Sequence, residues 1–159
     1  MRKLVPLMLS ALMLFTSTAS AEYIFCQPDA YVNVRSKPSG EAVQWVDCGT
    51  WVTTDCVSKK NNGRLWVHVV DLPSEDSEGW ICADFLSETP VHVETRTAYA
   101  IANGRLAIRK SPNTQSKVVG WIENGDKCTV VADNGEWAIT PRGYVVMEFL
   151  EFVEVMEDE

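Results

Sequence analysis

The chain has 159 residues, with 14 Lys and Arg against 22 Asp and Glu, and a formal net charge of −8 at neutral pH. That balance repels polyanions, so nucleic acid and anionic lipid surfaces are excluded as natural partners. Six Trp and five Cys in so short a chain point to small units held by aromatic packing and cross-links rather than by one large core.

Taken in order, Arg2-Lys3, the apolar run Leu4 to Phe15 and the ending Ala19-Ser20-Ala21 form the three parts of a secretory signal peptide. Cleavage is expected after Ala21, because the apolar run falls short of the roughly 20 residues that a span needs. Glu22, not Cys, stands directly after that point and no second long apolar run occurs, so neither a lipid anchor nor stable membrane insertion is expected. Loss of residues 1–21 removes two basic residues and no acidic one, taking the net charge to −10. The expected location is extracellular or cell-envelope associated.

From residue 22 the pattern is of short strands. Tyr23 to Cys26, Tyr31 to Arg35, Ala42 to Val46, Trp51 to Val57, Leu65 to Val70 and Gly79 to Cys82 are β-prone. Gln27-Pro28-Asp29, Lys37-Pro38-Ser39-Gly40, Asp47-Cys48-Gly49, Lys59 to Gly63 and the acidic Asp71 to Glu78 break them. Residues 88–97, with Pro90 inside, read as a connector, and Thr95 to Ala102 as a strand opening a second unit. Asp133-Asn134-Gly135 is expected to be a hairpin turn, and residues 154–159 an acidic tail. Nothing after residue 21 has the helical period. The fold class is all-β.

The strands recur. Val32-Asn33-Val34-Arg35-Ser36-Lys37-Pro38 returns as Leu106-Ala107-Ile108-Arg109-Lys110-Ser111-Pro112. Trp45 to Gly49 returns as Trp121 to Gly125, and Gly79-Trp80-Ile81 as Gly143-Tyr144-Val145, each followed by Phe-Leu at 85–86 and 149–150. In this order the pieces resemble the bacterial SH3 domain, SH3b, written twice. The resemblance implies two tandem small antiparallel SH3-like barrels, at 22–87 and 98–153. It also implies a binding or targeting role, often on peptidoglycan. Leu-Ala-Ile-Arg stands where the family has Leu-Asn-Val-Arg, Tyr144 where it prefers Trp, and no part of the chain reads as a catalytic domain.

Strand alternation then assigns faces. If Val46 and Ile122 point inward, Trp45 and Trp121 point out, and by the same parity so does Trp51. These three rings, with Asp47 and Glu123 beside them, are the candidate ligand-binding residues. Acidic groups beside aromatic rings suit a ligand with free amines. If both barrels bind, a tether through Ser87–Thr97 would raise the effective concentration at the second site. Trp66, Trp80, Trp137 and Tyr144 are expected in or at the core. Arg35 and Arg109 are expected to hydrogen-bond the turn that follows them.

Cys26, Cys48, Cys56 and Cys82 all fall in the first unit, where export would favour disulfides in one of three connectivities. Cys128 is left as a free thiol, expected to act as a small buried hydrophobe. His68 and His92 are the only histidines, and no Cys-x-x-Cys occurs, so neither a metal site nor a cofactor is expected. No cysteine sits at a helix N-terminus, which argues against a Cys–His hydrolase. The sequence therefore describes a secreted, non-enzymatic module that engages peptidoglycan glycopeptide or a peptide. An extracellular protein-interaction adaptor is the alternative, and a small wall hydrolase the weakest reading.

Overall fold

The computed structural model describes residues 19–72 and 77–153. The expected signal sequence up to residue 18, residues 73–76 of the acidic loop and the tail 154–159 lie outside them. Among the described residues the protein is all-β, with two single 3-10 turns, Ala83–Phe85 and Met147–Phe149, and no other helix.

The first half comprises β1 (Ser20–Ile24), β2 (Tyr31–Arg35), β3 (Ala42–Asp47), β4 (Trp51–Asn61), β5 (Arg64–Asp71), β6 (Gly79–Cys82) and β7 (Leu86–Ser87). They form one antiparallel sheet in the order β3-β2-β6-β5-β4-β1-β7. The second half comprises β8 (Arg96–Ala100), β9 (Arg105–Arg109), β10 (Val118–Glu123), β11 (Lys127–Val130), β12 (Ala132–Asp133), β13 (Trp137–Thr140), β14 (Gly143–Val146) and β15 (Leu150–Phe152). Its sheets run β10-β9-β14-β13-β12 and β11-β8-β15. The two sheets of the second half follow the order of the first with one break: the long β4, which pairs with both β1 and β5, is here divided at Val131 into β11 and β12.

Register repeats as the sequence does. Val46 faces Val32 and Trp45 faces Asn33; Ile122 faces Leu106 and Trp121 faces Ala107. A bulge follows at the same place in each hairpin, and Arg35 pairs with Trp80 as Arg109 pairs with Tyr144. Each Arg donates to the turn behind it, Nη1 to the Gly40 carbonyl at 2.6 Å and to the Ser116 carbonyl at 2.9 Å. The turn glycines Gly49 and Gly125 have φ of +80° and +85°, a region L side chains occupy at a cost. Each half has its own apolar core, Val32, Val34, Val46 and Ile81 in one, Leu106, Ile108, Ile122 and Val145 in the other.

Several expectations need correction. Strand β4 runs on through Lys59 to Asn61, so the turn is Asn62-Gly63 alone, with φ of +51° and +75°. Two consecutive left-handed residues suit a two-residue hairpin, which extends pairing to Asn61 and Arg64. Strand β1 begins at Ser20, with Ala21 opposite Thr53; cleavage after Ala21 would leave Glu22 to Ile24 to pair.

The connector is not a free tether. His92 and Asp133 exchange two backbone hydrogen bonds of 2.8 and 2.9 Å, the Thr89 hydroxyl donates to the Asn134 carbonyl, and Arg96 ion-pairs with the buried Asp133 carboxylate. Phe25, buried, meets Tyr144 edge-on at 5.7 Å, and Gln27 donates to the Thr140 carbonyl at 2.7 Å. Tyr144, expected in the core, thus closes the contact between halves. Phe25→Ala is expected to cost about 3–5 kcal/mol, read by urea unfolding, because the ring fills space from both sides. A loss below about 1 kcal/mol would mean that the contact carries little.

Candidate functional site

The parity of β10 places Ile122 in the core and Trp121 outside it, 42% exposed. On the facing strand β9, Leu106 and Ile108 turn inward, which leaves Arg105, Ala107 and Arg109 on the outer face. Ala107 lies opposite Trp121 and is too small to cover it. The Arg105 guanidinium stands 4.0 Å from the centroid of the Trp121 ring. A cation at that distance is held by the ring quadrupole and occupies one face of the indole.

Around this pair is an open groove of about 810 Å³. Leu106, Ala107 and Trp137 line it. Gly135 and Glu136 of the β12–β13 hairpin form one wall, and Glu148 and Phe149 of the second 3-10 turn another. Trp137 itself is buried. Two guanidinium groups, Arg105 and Arg109, and two carboxylates, Glu136 and Glu148, line one concavity. Arg109 is also tied to the turn at Ser116, whereas Arg105 rests on the Trp121 ring. The site can hold an apolar or sugar face on aromatic rings, with a carboxylate and an ammonium group recognised at its edges. The sequence led to the expectation of a ligand with free amines; Arg105 and Arg109 add a complement for carboxylates in the same concavity.

The other candidates are placed as follows. Trp45 occupies the position equivalent to Trp121, 66% exposed, with its ring 6.3 Å from Tyr31, which stands where Arg105 does in the second half. Trp51 is 49% exposed on β4, opposite Tyr23. Asp47 and Glu123 end β3 and β10 on the same outer faces as Trp45 and Trp121, opposite Tyr31 and Arg105. The groove thus gathers Trp121 but not Trp45 or Trp51, which lie on the first half. Arg105, Glu136, Glu148 and Phe149 were missed. The alternation of Arg105-Leu106-Ala107-Ile108-Arg109 already held the signal for the first of these.

All five cysteines are thiols. Of the three connectivities expected, the register rules out the one that joins Cys56 to Cys82. Cys82 pairs with Trp66, which pairs with Lys59, whereas Cys56 lies in the β4 bulge. Two strand spacings of about 4.8 Å separate them, beyond the reach of a disulfide. Cys26 and Cys48, by contrast, are neighbours. Cys128 is half-buried against the second core, where burial raises its thiol pKa.

His68 is half-buried on β5. The bulge Asp55-Cys56-Val57 opposes it alone, as pairing passes from Thr54–Val69 to Ser58–Val67. Asp55 meets His68 Nδ1 at 2.8 Å and accepts the Val57 N–H at 3.0 Å. Desolvation pushes the Asp55 carboxyl up, but the hydrogen bonds from His68 and Val57 outweigh it and hold the pKa below the ordinary value. A depressed folded-state pKa stabilises above the unfolded value and ceases to do so as pH falls through the folded one. Unfolding free energy is therefore expected to decline below about pH 4, and Asp55→Asn to flatten that decline in acid urea titrations. An unchanged slope would show that the pair is not formed.

Residues 104–151 match the family model described as the bacterial SH3 domain. That is one match, on the second half, where the sequence pattern led us to expect two. Among solved structures the chain is similar to NlpC2 from Trichomonas vaginalis, at 15% identity over 91% of this chain and 52% of that one, with a TM-score of 0.33. It is also similar to NlpC1 from the same organism, at 14% identity over 91% and 50%, with a TM-score of 0.35. The chain spans about half the length of each. No protein of curated function matches it.

Proposed function

We propose that the chain is an exported, non-catalytic binding module of two tandem SH3-like barrels, and that its second barrel holds a peptide or a peptidoglycan-derived glycopeptide across Trp121. The tandem reading is supported by the shared register of the two hairpins, down to the bulge and the Arg-to-turn hydrogen bond. The ligand reading is carried by the groove itself, where an exposed indole capped by Arg105 shares one concavity with the carboxylates of Glu136 and Glu148. A stem peptide, with amines and carboxylates on a short backbone, matches that charge layout. Because the halves are docked, any contribution from Trp45 comes at a fixed geometry rather than through a tether.

Sedimentation with purified peptidoglycan tests this reading. The protein is expected in the pellet at moderate salt, released by soluble stem peptides, with no new fragments in the supernatant. Protein left in solution, or wall material cut, would overturn it.

One observation favours a second reading, an adaptor for another exported protein. Strand β3 is the edge of its sheet, and Tyr31, Val43 and Trp45 stand exposed on or beside it. Capture of a partner by strand addition there would be lost on Val43→Pro, with wall sedimentation unchanged.

A further inference from the structure

We propose that Cys26 and Cys48 are a disulfide-forming pair, and that their bond locks the strap Phe25–Gln27 that joins the two halves. The backbone sets the pair up. Ile24 donates to the Thr50 carbonyl at 2.8 Å and accepts from Gly49 at 2.7 Å, so the chain leaving β1 runs beside the turn after β3. Two residues beyond Ile24 and one before Gly49, the cysteines meet. The Cys48 thiol donates to the Cys26 carbonyl oxygen at 2.8 Å, the Cys26 thiol donates to the Ala30 carbonyl oxygen at 3.7 Å, and the two side chains stand close enough to interact.

The pair is also asymmetric. Cys26 is buried and Cys48 half-buried. The side-chain interaction with Cys48, then burial, raises the Cys26 thiol. The same interaction lowers Cys48 against the effect of burial, and backbone hydrogen bonding at Cys26 and Gly49 lowers it further, to about 7. Cys48, the more exposed of the two and the one an oxidant can reach, is the attacking group. With glutathione disulfide as the oxidant, the Cys48 thiolate attacks one sulfur, forming a mixed disulfide and expelling glutathione thiolate. Cys26 then gives up its proton and attacks the Cys48 sulfur, expelling the second glutathione thiolate. Two protein thiols and one oxidant yield one protein disulfide and two glutathione thiols, the released protons ending on the leaving groups.

The bond would matter beyond its own loop. Cys26 sits between Phe25, packed on Tyr144, and Gln27, bonded to Thr140. Closing it fixes both contacts at once.

The test is incubation of the purified protein in glutathione redox buffers, followed by alkylation and peptide mapping. The expected product carries one Cys26–Cys48 cross-link and three alkylated cysteines. It melts about 5–10 °C above the reduced form and protects the amides of 25–27 from hydrogen exchange. Cys48→Ser is expected to abolish the cross-link while keeping the reduced fold, and Cys56→Ser and Cys128→Ser to leave it intact. A different linked pair, or glutathione adducts that never resolve, would overturn the pairing. A cross-link with no change in exchange at 25–27 would overturn the lock. Neither outcome bears on binding at Trp121.

Discussion

Replacing Gly143 with Ala is expected to lower the unfolding free energy by about 3 kcal/mol, the sum of strain at positive φ and overpacking. Gly143 has φ of +142°, and a Cβ there would stand 2.5 Å from the Arg109 carbonyl oxygen and 3.0 Å from Ile108 Cγ2. The first is backbone of a paired strand and the second belongs to a fully buried residue, so neither yields cheaply. Gly79 in the first half meets the same surroundings, where a Cβ would stand 2.4 Å from Val34 Cγ1 and 3.0 Å from the Arg35 carbonyl oxygen. Gly79→Ala is expected to destabilise by a smaller amount, about 2 kcal/mol, since it lacks the positive φ. Urea unfolding followed by Trp fluorescence reads both. Wild-type stability in Gly143→Ala would mean that β14 does not cross β9 as closely as described.

Trp121→Ala is expected to weaken wall binding about 30-fold, or about 2 kcal/mol, the loss typical of an aromatic anchor. The melting temperature should move by less than about 2 °C, because a surface truncation seldom exceeds 0.5 kcal/mol. Arg105→Ala is expected to cost about 5-fold, since it removes one cation and leaves the ring. Trp45→Ala should also weaken binding, by less, as its ring stands farther out and outside the Trp121 groove. Titration of each variant with soluble stem peptide, beside a thermal scan, separates these effects. Unfolding of Trp121→Ala would place that ring in the structure rather than at a ligand.

Much of this was legible in the residues because period-two alternation is local. Val46 and Ile122 set inward faces, and from them the exposure of Trp45, Trp51 and Trp121 followed without coordinates. The repeated Arg before Pro gave the turn hydrogen bond for the same reason. What was not legible depends on contacts distant in sequence. Nothing around Phe25 says that it packs on Tyr144, 119 positions away, or that Asp133 takes up Arg96 and His92. The groove walls at Glu136 and Glu148 come from turns whose placement only the closed barrel determines. The nearness of Cys26 to Cys48 comes from the bridge at Ile24, a non-local pairing that spacing alone does not reveal.

The central claim is that the outer face of β9 and β10 holds the ligand. Backbone amide shifts of the labelled protein, recorded while soluble stem peptide is added, test it most directly. Saturable shifts confined to Arg105, Ala107, Trp121, Glu136 and their neighbours are the expected result. Shifts that gather elsewhere, or a spectrum that stays unchanged at saturating peptide, would contradict it.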